Sequence, residues 1–232
     1  MTVDFVGAGP GDPLLLTRRA ARLLGEADVV VADRVSADPI LALARPGAER
    51  VYVGRTAGGK AWTTEAIVDL LAARSRDGRR VVRLKSGDPF VCSRAAEEVA
   101  LLVARGIACS VTPGVTAATV VPLVAGLPRG RRVTFASGDR DPMSAPVDWS
   151  ALADPRDSVV VLTGRAQQPA IAARFLDAGL PPTTPAAIVH AATRPESQVV
   201  ATTLAALPTH RLPPPAAFVV GPVEGGGDDA RP

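Results

Sequence analysis

Val3-Asp4-Phe5-Val6-Gly7-Ala8-Gly9-Pro10-Gly11-Asp12-Pro13 is the stretch that decides the fold class. A short β-branched run enters a glycine-rich turn, and from Leu14 to Leu24 apolar residues recur three and four apart, which predicts a helix. Strand, glycine turn and helix in that order open an α/β unit, whose ligands bind at the carboxyl ends of its strands. A dinucleotide fingerprint needs a glycine at the sixth place of the turn, but Asp12 stands there, at the mouth of the predicted helix. Its carboxylate competes with a pyrophosphate for the same backbone N–H groups and the same dipole end. Pro10 and Pro13 each remove a further N–H donor. NAD(P) and FAD therefore fit poorly, while a purely structural turn and a nucleoside ligand without phosphates, such as S-adenosylmethionine, both remain open.

Outward from this loop the alternation continues. Val29 to Ala32, Arg50 to Val53, Val81 to Leu84 and Cys109 to Val111 read as strands, with helices over Glu65 to Arg76 and Arg94 to Arg105. Ile67, Leu70 and Leu71 mark one buried helical face. Strand–helix alternation predicts a mostly parallel sheet. Thr112-Pro113-Gly114 punctuates the chain, and the expected domains are 1–114, 115–223 and a Gly- and Asp-rich disordered tail at 224–232. After a helical stretch from Thr116 to Ala125, strands are expected over Val133 to Ala136, Val159 to Leu162, Ala187 to Val189, Gln198 to Thr202 and Ala217 to Val220. Pro169 to Ala178 reads as a helix. Only a Pro-rich turn separates the last two strands, which predicts that they pair antiparallel.

Composition narrows the function. With 232 residues, 47% hydrophobic, 21% charged and 3% aromatic, the chain is an ordinary globular protein, neither disordered nor a disulfide scaffold. The few aromatics argue against stacking on nucleic acid. Lys60 and Lys85 are the only lysines among 26 basic residues, so arginine carries the slight excess that gives +3 net. Guanidinium groups suit carboxylate- or phosphate-bearing ligands as readily as a solvated surface. His190 and His210 are isolated and Cys92 and Cys109 are not closely paired, so no metal site is expected. The start lacks a basic region before an apolar run and no segment is apolar enough to span a bilayer, so a cytoplasmic location without membrane attachment is expected.

Gly7 to Pro13 followed by Leu15-Leu16-Thr17, Ala27-Asp28-Val29-Val30 with Asp33-Arg34, and Tyr52-Val53-Gly54 with Ala57-Gly58 resemble the tetrapyrrole methylase family, specifically its uroporphyrinogen-III C-methyltransferase branch. Val81 to Val91, Pro113-Gly114-Val115-Thr116-Ala117, Asp148-Trp149, and Thr193 with Val199-Val200 extend the match over nearly the whole chain. The resemblance implies a two-domain α/β fold of the class III S-adenosylmethionine-dependent methyltransferases, with a mostly parallel first sheet and a mixed second one. It further implies a homodimer that binds the donor between its domains and methylates an acidic tetrapyrrole at pyrrole carbons. Donor-binding positions then fall on Pro10, Ser86, Gly87, Asp88, Thr116, Ala117, Thr163 and Ala192. Asp33 matches the family's proposed proton acceptor and Arg55 the place of its proton-donating lysine.

Several positions depart from the family pattern. Arg55 stays protonated, so it can bind a carboxylate but not deliver a proton. Ser86 replaces a glycine, Cys92-Ser93 replace phenylalanine and glycine, Ala95-Ala96 replace two glycines, and Thr163 replaces a methionine. Between Gly126 and Val133 the chain is shorter than the family and lacks its Leu-Thr-His-Arg signature. The expected activity is methylation of uroporphyrinogen III to precorrin-2, on the route to sirohaem and cobalamin. A methylase of a later corrin intermediate and a non-catalytic donor-binding paralogue are the alternatives.

Overall fold

The computed structural model describes residues 1–33, 38–54, 62–126, 132–138 and 147–222. The chain divides into two compact units, Met1–Thr116 and a second from Ala117 onward.

The first unit holds β1 (Thr2–Gly7), α1 (Arg18–Glu26), β2 (Val29–Ala32), the short α2 (Asp38–Leu41), β3 (Glu49–Tyr52), α3 (Thr64–Arg76), β4 (Val81–Lys85), α4 (Ala95–Ala104) and β5 (Ala108–Thr112). Its five strands lie in the order β3-β2-β4-β1-β5, all parallel. Because strand side chains alternate, Val3, Phe5, Val29, Val31 and Val81 pack on one face with α3 and α4, while Val6, Val30, Val82 and Leu84 pack on the other with α1 and α2. Helices cover both faces, which is why β2 reads as a continuous apolar run and why β4 is buried along its whole length, Arg83 and Lys85 included. β1 and β4 are neighbours whose outgoing connections leave in opposite directions, so their carboxyl ends form the switch point at which such sheets hold ligands.

The helix expected from Leu14 is divided. Pro13–Leu15 forms one 3-10 turn, and α1 begins only at Arg18, where the Thr17 hydroxyl accepts from the Ala20 N–H at 3.2 Å. The Asp12 carboxylate caps the short turn through the Leu14 N–H at 2.8 Å, and Leu14 is 91% exposed. Thr17 wins the start of α1 because its side chain satisfies an otherwise orphaned N–H. Thr17→Ala is expected to lower stability by about 1 kcal/mol. In a chain of this size that is a drop of roughly 2–4 °C in melting temperature, and an unchanged melt would show that another group caps the helix.

The second unit holds α5 (Ala117–Ala125), β6 (Val133–Ser137), β7 (Ser158–Leu162), α6 (Gln168–Asp177), β8 (Pro185–His190), β9 (Gln198–Thr203) and β10 (Ala216–Val220). The order is β6-β7-β10-β8-β9, with β6 parallel to β7 and the other pairs antiparallel. Val159, Val161, Ile188 and Phe218 pack against Ile171, Ala172 and Phe175 of α6, and Trp149 meets Phe175 edge-on with ring centroids 5.7 Å apart. α5 packs along β7, β8, β9 and β10.

The expected pairing of the last two strands is wrong. β9 forms a hairpin with β8, and β10 inserts between β7 and β8. Burial explains the choice: Ala217 to Val220 are buried on both faces and need a partner on each side, whereas β9, with Gln198, Thr202 and Thr203, is polar and largely exposed, as an edge strand should be.

Candidate functional site

Three loops meet at the carboxyl end of the first sheet. Ala8 N–H donates to the Lys85 carbonyl at 2.7 Å, and Gly9 and Gly87 exchange backbone hydrogen bonds of 3.2 and 2.9 Å as an isolated antiparallel bridge. Gly9 and Gly11 have φ of 70° and 140°, which the tight turn requires and side chains resist. The Asp88 carboxylate joins the loop after β4 to the loop after β5, accepting from the Phe90 N–H at 2.8 Å and the Gly114 N–H at 3.1 Å. At the centre, backbone lies directly on backbone: a Cβ on Gly7 would sit 2.5 Å from the Gly114 nitrogen and 2.7 Å from the Gly87 carbonyl oxygen.

Of the expected donor-binding residues, Pro10, Ser86, Gly87 and Asp88 are thus brought into one cluster, with Thr116 two residues beyond Gly114. Gly87 is buried, Ser86 exposed and Pro10, Asp88 and Thr116 half-buried. Asp12 and Asp88 already accept from backbone N–H groups of these loops, and Pro10 and Pro13 offer none. That chemistry suits a cationic or neutral ligand without phosphates, and the absence of side chains at Gly7, Gly87 and Gly114 lets backbone approach closely.

Asp33 follows β2 at the same end of the sheet, and sequence reasoning missed what holds it. Arg83 is wholly buried on β4, the middle strand. Its guanidinium donates to Asp33 Oδ1 at 2.5 Å and to both Glu98 oxygens at 2.7 and 3.1 Å. Lys85 Nζ lies 3.0 Å from Asp33 Oδ2 and 3.3 Å from Glu98 Oε1. Burial pushes the Asp33 carboxyl up, but the charges and hydrogen bonds of Arg83 and Lys85 outweigh it and hold it below its ordinary value. Charges at alternate positions of a strand otherwise made of Val81, Val82 and Leu84 were the signal available, since a central strand tolerates charge only when it is paired. Arg55 lies outside the described residues, as do Arg34 and most of the segment between Gly126 and Val133.

In the second unit, Ala117 opens α5, and Thr163 and Ala192 lie in the loops after β7 and β8. The Ser137 and Thr163 hydroxyls are 3.2 Å apart, and Gly138 N–H donates to the Leu162 carbonyl at 2.9 Å. Among the described residues, the non-glycines with left-handed backbone are Cys92 (φ 50°), Thr163 (59°), Ala191 (48°) and Thr193 (69°). All follow the carboxyl ends of β4, β7 or β8, and each conformation costs on the order of 1 kcal/mol. No group of three or more His, Cys, Asp or Glu placed to hold a metal occurs among the described residues. No helix there is long and apolar enough to cross a membrane.

Known proteins share this arrangement. A uroporphyrin-III C-methyl transferase from Thermus thermophilus, solved with S-adenyl homocysteine, matches with a TM-score of 0.82 and 37% identity over 95% of this chain and 92% of that one. A cobalt precorrin-4 methyltransferase superposes with a TM-score of 0.80 at 28% identity, over 95% of this chain and 94% of its own. Among curated relatives, a siroheme synthase of Chromobacterium violaceum is 44% identical over 230 residues, and one of Methylococcus capsulatus 41% identical over 234. The chain spans about half the length of these synthases, 49% in both cases. The family of tetrapyrrole (corrin/porphyrin) methylases matches residues 2–208. The parallel first sheet and mixed second sheet thus belong to a shared fold, and the chain belongs to the tetrapyrrole (corrin/porphyrin) methylase family.

Proposed function

We propose that the chain transfers methyl groups from S-adenosylmethionine to carbons of uroporphyrinogen III, giving precorrin-2 by two methylations. The likeness to the Thermus methyltransferase, which extends over 92% of that chain and was solved with the demethylated donor, carries this reading. The close backbone junction of Gly7, Gly87 and Gly114, beside the carboxylates of Asp12 and Asp88, supports it. When bound, the donor supplies a methyl on sulfonium: the carbon–sulfur bond breaks with its electron pair on sulfur, a pyrrole π pair forms the carbon–carbon bond, and the cationic ring later loses a proton. The chain's part is to hold methyl and acceptor carbon in line. Pro10, Ser86, Gly87, Asp88 and Thr116 are assigned to the donor from the first unit, and Ala117, Thr163 and Ala192 from the second. Arg55 is assigned to an acceptor carboxylate, because guanidinium binds carboxylates in bidentate fashion. A homodimer in the cytoplasm, with no metal, completes the proposal.

Methylation of a later corrin intermediate is the second reading, favoured by the missing Leu-Thr-His-Arg signature and the 0.80 TM-score to the cobalt precorrin-4 enzyme. Anaerobic incubation with methyl-labelled donor and uroporphyrinogen III, followed by mass analysis, separates the two. Gain of two labelled methyl groups is expected; transfer only to later corrins selects the second reading, and transfer to neither sinks both.

Asp88→Ala tests the donor site. Removing the carboxylate leaves the Gly114 and Phe90 N–H groups without this acceptor, so the loops after β4 and β5 separate. Calorimetry with S-adenosylhomocysteine should show affinity falling about tenfold or more, which is ~1.4 kcal/mol, while circular dichroism stays native. Parent-like affinity would remove these loops from the site.

A further inference from the structure

Arg83, Lys85, Asp33 and Glu98 form a closed group of two cations and two anions around the carboxyl ends of β2 and β4. Three members are sealed in, with side-chain exposures of 0% for Arg83, 3% for Glu98 and 9% for Lys85, whereas Asp33 is 29% exposed. Arg83 also donates to the Val31 and Leu84 carbonyls at 3.3 and 3.4 Å, which fixes its guanidinium to the sheet itself. Lys85 has a second tie, since its carbonyl accepts from Ala8 in the glycine loop. One strand thus connects the loop assigned to the donor with the only solvent-facing carboxylate of the group.

Apolar groups on this face are Phe5 from β1, Val51 from β3 with Val53 just after it, and Ile67 and Val68 from α3. Glu65, Arg94 and Glu97, at the starts of α3 and α4, are exposed. Among the described residues, the charged groups that face Asp33 are therefore Arg83 and Lys85 from β4 and Glu98 from α4.

We propose that Arg83, Lys85 and Glu98 are positioning residues that pin the Asp33 carboxylate through both oxygens, so that Asp33 serves methyl transfer as a fixed negative charge beside the acceptor ring and not as the group that takes its proton. This rests on the methyltransferase reading above. In that reaction one unit of positive charge passes from sulfur to the pyrrole ring, and a preorganised anion stabilises the charge as it arrives without rearranging. A carboxylate whose two oxygens already bind cations is a weakened base, so the proton released by the ring passes to water. Glu98 sets the balance: it shares both cations, and without it they would act on Asp33 alone.

The charge arithmetic makes the proposal testable by a double-mutant cycle. Asp33 is followed by carbon NMR in protein labelled at aspartate carboxyls, with Asp33→Asn for assignment and thermal melts confirming that each variant folds. Lys85→Met leaves the group at −1, and its Asp33 midpoint should rise by about one pH unit or more. Glu98→Gln leaves it at +1, and the midpoint should fall. The double variant restores neutrality, and its midpoint should return close to that of the parent. Turnover should follow the same cycle, reduced about tenfold in Lys85→Met with little change in KM and largely recovered in the double variant. The parent's kcat should show no titrating limb that tracks Asp33.

Single variants that leave the Asp33 midpoint where it was, a double variant as impaired as Lys85→Met, or a kcat limb that moves with Asp33 would each overturn the proposal. Absence of methyl transfer by the parent protein would overturn the methyltransferase reading and the role assigned to the charge, whereas the NMR cycle reads the pinning by itself.

Discussion

Gly114→Ala is expected to destabilise the first unit by about 3 kcal/mol or more, at the upper end of what single substitutions do, and to abolish measurable donor binding. A Cβ at Gly114 would fall inside the Gly87 carbonyl oxygen and 2.8 Å from the Gly7 Cα, and neither neighbour is a side chain that can swing away. Relief requires the loops after β1, β4 and β5 to part, which breaks the Gly9–Gly87 bridge and the Asp88–Gly114 hydrogen bond together. Melting should drop by roughly 6–12 °C, taking about 2–4 °C per kcal/mol for a chain this size, and calorimetry should record no heat with S-adenosylhomocysteine. A parent-like melt would mean that the loops are looser than their contacts indicate.

The second large effect is expected at Arg83→Met. Methionine fills much of the buried volume, but it leaves Asp33 and the buried Glu98 to share Lys85 alone. Breaking a buried pair from one side costs about 3–5 kcal/mol. The sign of the pH dependence follows from which group is left charged. In the parent, Asp33 is held below its ordinary value, so its contribution is fully present above the unfolded carboxylate range and is lost as pH falls through the lower folded value. In the variant the surplus carboxylate is raised, so the destabilisation grows as pH rises through that range. Urea unfolding at about pH 5 and pH 8 should show the gap between variant and parent widening at the higher pH. A gap that narrows there would mean that Arg83 acts through packing.

Much of this was legible from residues alone. Val29 to Ala32 declares a doubly buried parallel strand by being apolar on both alternations, Val81 to Leu84 does so apart from Arg83, and Gly7 to Pro13 declares the tight turn that closes β1. Chain proximity points β10 to β9, but burial decides the pairing: the continuous run Ala216-Ala217-Phe218-Val219-Val220, set against the polar ends of β9, belongs in the middle of the sheet. At the start of α1, leucines at 14, 15 and 16 imitate a helical face, while the capping threonine that follows them outranks periodicity. The ion group stayed hidden for a different reason. Its members stand at 33, 83, 85 and 98, and only the β2–β4 register places the first beside the next two.

The insertion of β10 has a consequence for how the protein is made. Synthesis delivers β7 and β8 long before residues 216–220, yet neither strand has its inner neighbour until those residues arrive. During that interval the chain carries two unpaired, largely apolar strand edges, the kind of surface on which chains join one another. In the first unit β1 and β2 likewise wait for β4 at residues 81–85, but that sheet is complete once Thr112 is made. A chain that stops short of Ala216 would therefore carry a finished parallel sheet in its first unit and a second sheet without its middle strand, and such a chain is expected to aggregate although every strand of the first unit is in place.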